Sequence, residues 1–227
     1  MEIGLGTRRR RAVSLEQAAG PENPPCPACG EPLFVWIETE GYGRREDQVI
    51  DRCENCGLVL VRGEIPKPDD AAERLLAEGE TDDEGGITFR AANAASLQAW
   101  LGAENWAALR PGGHGLEPTP RAASLLLARR GLRIRRIRHL LGPGMAAMWQ
   151  TLLNLLTFHR DFASEAASRR LRPGTGRSEA AFWTDVAVTV LAAIPTAFVA
   201  VLLETGAVVA RRGGVIEIQA ERLPSTD

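Results

Sequence analysis

Apolar and polar positions change period several times along this chain. Residues 33–37 and 48–50 are runs of β-branched and aromatic side chains, and Gly41-Tyr42-Gly43 between them predicts a turn. A third strand is predicted over 58–61, and a short helix over 69–79. Residues 87–90 again have strand character, and Ser96 is placed to cap a helix over 97–101. Thr119-Pro120 combines an N-cap with proline at the first helical position, predicting a helix over 121–130 that stops at Gly131. Residues 132–138 alternate, with arginines on one face. An apolar helix is predicted over 145–158, a Gly/Pro loop over 172–177, and a last strand over 215–220 behind Gly213-Gly214. The pattern is α/β with few strands.

One run differs from the rest. Residues 186–203 are 18 residues without a charge, between Asp185 and Glu204, with Arg211 and Arg212 just beyond. At helical rise this is about 27 Å, close to the thickness of a bilayer core. Pro195, Thr189 and Thr196 interrupt it, and the strand that follows must return to its sheet. If the run crossed a membrane, that strand would lie opposite its partners. The leading expectation is therefore a buried or interfacial helix, with a true span as the alternative. Residues 145–158 offer a second apolar surface, and the arginines at 169, 170, 172, 211 and 212 suit an anionic lipid surface.

Composition narrows the classes. The 227 residues carry 27 basic and 29 acidic side chains, a net charge of −2, and 44% are hydrophobic. This is globular composition, and it lacks the basic surplus of a general nucleic-acid binder, so no specific nucleic-acid partner is expected. Four cysteines without a secretory leader argue against a disulfide-stapled secreted domain and for a cytoplasmic protein, membrane-associated if 186–203 makes it so. Arg8, Arg9, Arg10 and Arg11 mark residues 1–25 as a disordered basic leader. Residues 64–85 form an acidic linker; nine acids between 64 and 84 face only Lys67 and Arg74. Residues 121–138 carry seven arginines and no acid, so the two blocks can attract weakly.

The clearest chemistry is Cys26-Pro-Ala-Cys29-Gly30 and Cys53-Glu-Asn-Cys56-Gly57, with 23 residues between Cys29 and Cys53. Two C-x-x-C pairs at this separation match a four-thiolate zinc site. A two-residue gap lets a tight turn aim both sulfurs at one ion, and the glycine after each pair accepts the positive φ such a turn needs. Cys26, Cys29, Cys53 and Cys56 would fill all four tetrahedral positions, so the zinc would be structural, not catalytic. A pair of redox dithiols is the competing reading. The zinc ribbon is assigned to 26–63 and an α/β domain to 86–222.

The ribbon together with Ile65-Pro66-Lys67-Pro68 resembles the leader of many bacterial class I S-adenosylmethionine methyltransferases. The later segments are similar to the closing third of the same enzymes: Gly85-Gly86-Ile87-Thr88, Asn93 with Ser96-Leu97, Trp106 to Pro111, and His114. Thr119-Pro120-Arg121, Arg130-Gly131-Leu132-Arg133-Ile134 and Gly213-Gly214-Val215-Ile216-Glu217-Ile218 follow in the family's order. The resemblance implies a truncated Rossmann-like half with its last strand antiparallel between two others, in the order 87–90, 215–220, 132–138.

The family's cofactor-binding half, with its glycine-rich loop and ribose-binding acid, is missing. Only 28 residues (57–84) separate Cys56 from Gly85, whereas one strand–helix–strand unit takes roughly 30. S-adenosylmethionine is thus not an expected cofactor, and no catalytic residue is assigned. His114 is the one weak candidate, because the family places a histidine in this loop, but the acid and aromatic residues usual around it are replaced by Gly113, Leu116 and Glu117. His139 and His159 show no partner in the sequence, and Trp100, Trp106 and Trp149 are read as core. With its usual neighbour deleted, strand 87–90 is expected to be open, to pair with a protein partner or a second copy, or to be covered by the adjacent acidic segment. The leading functional expectation is a methyltransferase-like zinc-ribbon protein without catalysis, a scaffold or partner of a methyltransferase. The alternatives are a membrane-associated zinc-ribbon adaptor and an active methyltransferase with an unrecognised cofactor site.

Overall fold

A computed structural model describes residues 23–39, 48–62, 65–77, 79–81, 86–109, 115–168 and 179–223. Most of the basic leader, the Gly41-Tyr42-Gly43 turn, the 172–177 loop and His114 lie outside the described residues.

The chain is mixed α/β with two antiparallel sheets. In the first, β1 (Leu33–Thr39) pairs with β2 (Gln48–Cys53), and β2 with β3 (Val59–Val61). The acidic segment then forms α1 (Pro68–Leu76), opened by Pro68 and burying Ala71, Ala72 and Leu75. Next come the short β4 (Glu80–Thr81), β5 (Ile87–Ala92) and α2 (Leu97–Gly102). Ser96 caps α2 by accepting from the Ala99 amide at 3.1 Å. A single 3₁₀ turn, Ala103–Asn105, leads on to β6 (Leu116–Glu117), which adds a fourth strand to the first sheet beside β3.

α3 (Pro120–Arg129) ends before Gly131, whose φ of +67° reverses the chain into β7 (Leu132–His139). α4 (Leu141–Leu156), α5 (Phe162–Ala167) and α6 (Glu179–Val209) follow, and β8 (Val215–Arg222) closes the second sheet. Its order is β4-β5-β8-β7, with β8 antiparallel to both β5 and β7. This is the strand order the sequence led one to expect. Ile216, Ile218 and Ala220 alternate inward from β8 and are buried. β7 departs from strict alternation: its register shifts between Ile134 and Arg136, and Arg135 and Arg136 are both exposed. The bulge absorbs the consecutive arginines while Ile134 and Ile137 keep facing the core.

The outer edge of β5 is partly occupied. Glu80 and Thr81 of the acidic segment pair with Thr88 and Ile87, so that segment covers the first part of the edge. A cleft of about 230 Å³, lined by Arg74 of α1, Arg90 of β5 and Leu116 of β6 among others, follows the rest of it. The acidic and basic blocks meet through Arg130, whose Nη2 donates to the Asp69 carbonyl at 3.0 Å and reaches Glu73 at 3.2 Å, the Arg130 and Glu73 side chains being solvent-exposed.

α6 extends past both ends of the apolar run and continues through Pro195. It is long and apolar enough to cross a membrane, and almost none of its most apolar window is buried. α4 also begins earlier than expected, taking in Gly142, Pro143 and Gly144. Pro143 is tolerated because amides in a first turn have no partner within the helix.

One hydrophobic core joins the parts. It runs from Cys26, Leu33, Cys53 and Leu58 through Ala71 and Leu75 of α1 and Leu126 of α3 to Phe89, Leu132, Ile216 and Ile218 of the second sheet. A second cluster sets Ile37, Ile50 and Val59 against Ala99, Trp106 and Leu109.

Candidate metal centre and buried carboxylates

Each cysteine pair sits in a tight turn of the same design. The Gly30 amide donates to the Cys26 carbonyl at 2.8 Å, and the Gly57 amide to the Cys53 carbonyl at 2.8 Å. Gly30 and Gly57 have φ of +81° and +74°, which a β-carbon disfavours. The turns face each other, so the Sγ atoms of Cys26, Cys29, Cys53 and Cys56 all lie within 4.8 Å of one another. Cys26 Sγ is 3.5 Å from Cys56 Sγ, and Cys29 Sγ is 3.4 Å from Cys53 Sγ.

Crowding couples the thiols. The Cys56 sulfhydryl hydrogen-bonds Cys26 and lowers its pKa to about 5, while Cys56 is itself raised by that bond and by burial. Burial also raises Cys53. Four sulfurs this close cannot all ionise without a cation among them. The group is thus compatible with a structural metal ion held by all four cysteines.

The second turn is tied to the rest of the molecule by Thr119. Its hydroxyl donates to the Cys56 carbonyl at 2.5 Å and accepts from the Ala122 amide at 3.1 Å, capping α3. A β-carbon on Gly57 would come within 2.7 Å of Thr119 Cγ2. Arg121 Nη2 adds a bond to Asn55 Oδ1 at 2.8 Å. The capping role of Thr119 follows from Thr-Pro, but the bond to Cys56, 63 residues away, has no local signal. Nearby, Asp51 is fully buried and holds Arg62, with Nε–Oδ2 at 2.9 Å and Nη2–Oδ1 at 2.7 Å, which raises the Arg62 pKa.

The two acids that frame the apolar run are both buried. Asp185 accepts from the amides of Phe158 at 2.6 Å and His159 at 2.9 Å, and lies 2.5 Å from His159 Nδ1. His159 therefore has a partner, 26 residues away, that the sequence did not reveal. Glu204 accepts from Gln98 Nε2 at 2.8 Å and from the Gly214 amide at 2.7 Å, while the same Gln98 nitrogen bonds the Gly144 carbonyl at 2.7 Å. Gly144 and Gly214 are required here, since a β-carbon on either would overlap Glu204 or Gln98.

Of the remaining singled-out residues, Trp106 is fully buried and Trp149 half-buried, its Nε1 donating to the Ala193 carbonyl at 3.0 Å. Trp100 is 72% exposed, because α2 turns it away from both cores. His139 Nδ1 is buried with no hydrogen-bond partner among the described residues.

Comparison with protein-family models, with curated proteins and with solved structures finds no match.

Proposed function

We propose that this protein is a non-catalytic binding protein, a zinc-stapled platform that joins a zinc ribbon to the closing half of a methyltransferase-like sheet. The observation that carries this reading is the order β5-β8-β7, with β8 antiparallel between strands that are parallel to each other. In the enzymes the sequence resembles, the cofactor-binding half continues outward from the strand equivalent to β5. Here α1, β4 and the β6 side of the ribbon sheet take that position, and the stretch between Cys56 and Ile87 is spent on β3, α1 and β4. The cleft they leave is smaller than the roughly 300–1,000 Å³ typical of ligand pockets. Arg90, Ala91 and Ala92, beyond the reach of β4, line that cleft, and this is where a partner protein or a second copy would bind.

Zinc suits the site because it accepts four thiolates in tetrahedral geometry without redox chemistry. Its role is to fasten the two cysteine turns, with Cys26, Cys29, Cys53 and Cys56 as ligands. Metal analysis is expected to give one zinc per chain, released with loss of structure by a chelator. A stable metal-free protein whose cysteines cycle between thiol and disulfide would favour the dithiol reading.

The test of function is calorimetric titration of the zinc-loaded protein with S-adenosylmethionine and S-adenosylhomocysteine. The expected result is no heat of binding and no thermal shift. Saturable binding at micromolar concentration would overturn the reading and restore an enzyme.

A further inference from the structure

The charge pattern of α6 is inverted relative to that of a helix on a water-soluble surface. Between Glu179 and Arg211 its only ionisable residues are Asp185 and Glu204, and both are fully buried against the body of the protein. The outward side carries nine large apolar side chains, among them Ile194 at 82% exposure, Leu191 at 78%, Val190 at 71% and Phe198 at 66%. In water the polar face belongs outside. Leu155, Leu156 and Phe158 extend the same character from α4 and the turn after it.

We infer that α6 seats this protein on an anionic phospholipid bilayer, lying in the membrane plane with its outer face among the lipids and without crossing to the far side. Its attachment to the body argues against a span. Near its start Asp185 holds the 158–159 turn, in the middle Trp149 donates to Ala193, and near its end Glu204 holds Gln98 and Gly214. α4 beneath it is fixed on its other side, where Thr151 Oγ1 accepts from the Ala107 amide at 3.1 Å and Asn154 Nδ2 donates to the Asn105 carbonyl at 3.1 Å. Ala107 and Asn105 flank Trp106, which packs on the ribbon sheet. Polar, ribbon-bearing structure therefore runs beside α6, and only one side of the helix is free to meet hydrocarbon.

Charge selects the lipid. Arg211 and Arg212 are exposed just past Val209 and Ala210, Val209 itself being 81% exposed. Arg169, Arg170, Arg172 and Arg177 precede the helix in sequence. The basic pair Arg211 and Arg212 at the end of a neutral apolar face matches an acidic headgroup layer. Trp183, 55% exposed near the start of α6, adds an amphipathic ring of the kind that favours the interface.

The experiment is flotation of full-length, zinc-loaded protein with phosphatidylcholine vesicles and with vesicles of phosphatidylcholine and phosphatidylglycerol in equal parts. Strong binding to the second and weak binding to the first are expected. Removing both charges (Arg211→Gln with Arg212→Gln) should weaken binding about 30-fold. Placing acids on the outer face (Leu191→Asp with Ile194→Asp) should abolish binding while leaving the melting temperature unchanged, since both positions are exposed. Nitroxides attached singly at Val190→Cys, Ile194→Cys, Phe198→Cys and Leu202→Cys should report one shallow depth. A depth that changes steadily along the helix and passes the bilayer middle would overturn the inference in favour of a span. A protein that ignores both vesicles would overturn it as well, and a dimer dispersed by Ile194→Asp would then assign the face to a second copy. None of these readouts depends on S-adenosylmethionine, so this inference and the proposed function fail separately.

Discussion

Gly144 shows how little room the buried carboxylates leave. A methyl group there would overlap Glu204, forcing the acid away from Gln98 and from the Gly214 amide. Gly144→Ala is expected to cost about 3 kcal/mol, from overpacking plus disrupted buried hydrogen bonds, as read from urea unfolding. Thr119 is the second sensitive position, because one hydroxyl serves both α3 and the Cys56 turn. Thr119→Ala should destabilise the zinc-loaded protein by about 1–2 kcal/mol, and Thr119→Ser should recover most of the loss in thermal melts. By contrast, Arg133 with Glu221 and Arg90 with Glu217 are exposed pairs, and each adds at most about 1 kcal/mol.

At the scale of elements, α6 depends on its two inward acids. Asp185→Ala removes the acceptor of two backbone amides and the partner of His159, and is expected to cost about 3–5 kcal/mol in urea unfolding. In sequence, Asp185 and Glu204 mark the limits of an apolar run. In the fold they are interior residues of a longer helix, because a carboxylate turned inward onto amides need not end it. The strands 87–90, 132–138 and 215–220 were legible because alternation of Ile and Val with polar residues is a local property. β4 and β6 were not, since two-residue strands are defined by the edges they meet and not by their own side chains. The four cysteines were legible because each pair sits in one local turn and the β-hairpin signal between the pairs brings the two turns together. The partners of His159 and Glu204, and the outward turn of Trp100, come from packing between elements distant in sequence.

Across the whole molecule, the continuous core would make a metal held by the four cysteines more than a local clamp. The buried cysteines share a cluster with α1, α3 and the second sheet, and Thr119 couples the Cys56 turn to α3. Chelation is therefore expected to lower the melting temperature of the entire protein by more than about 10 °C within one calorimetric transition. Two separate transitions, with only the first shifted by zinc, would show that ribbon and sheet unfold independently.

The position of β8 also sets a rule for biosynthesis. β5 and β7 do not touch each other as neighbours; what joins them is β8, which leaves the ribosome after both. The cysteine turns are complete early in translation, but the second sheet has no centre until residues 215–222 emerge. Until then the growing chain carries the β8-facing edges of β5 and β7 unpaired, and α4, with α6 packed on it, lacks the strand it contacts. Exposed strand edges and apolar helices favour aggregation, so a chain truncated before Gly214 is expected to be insoluble or sensitive to protease.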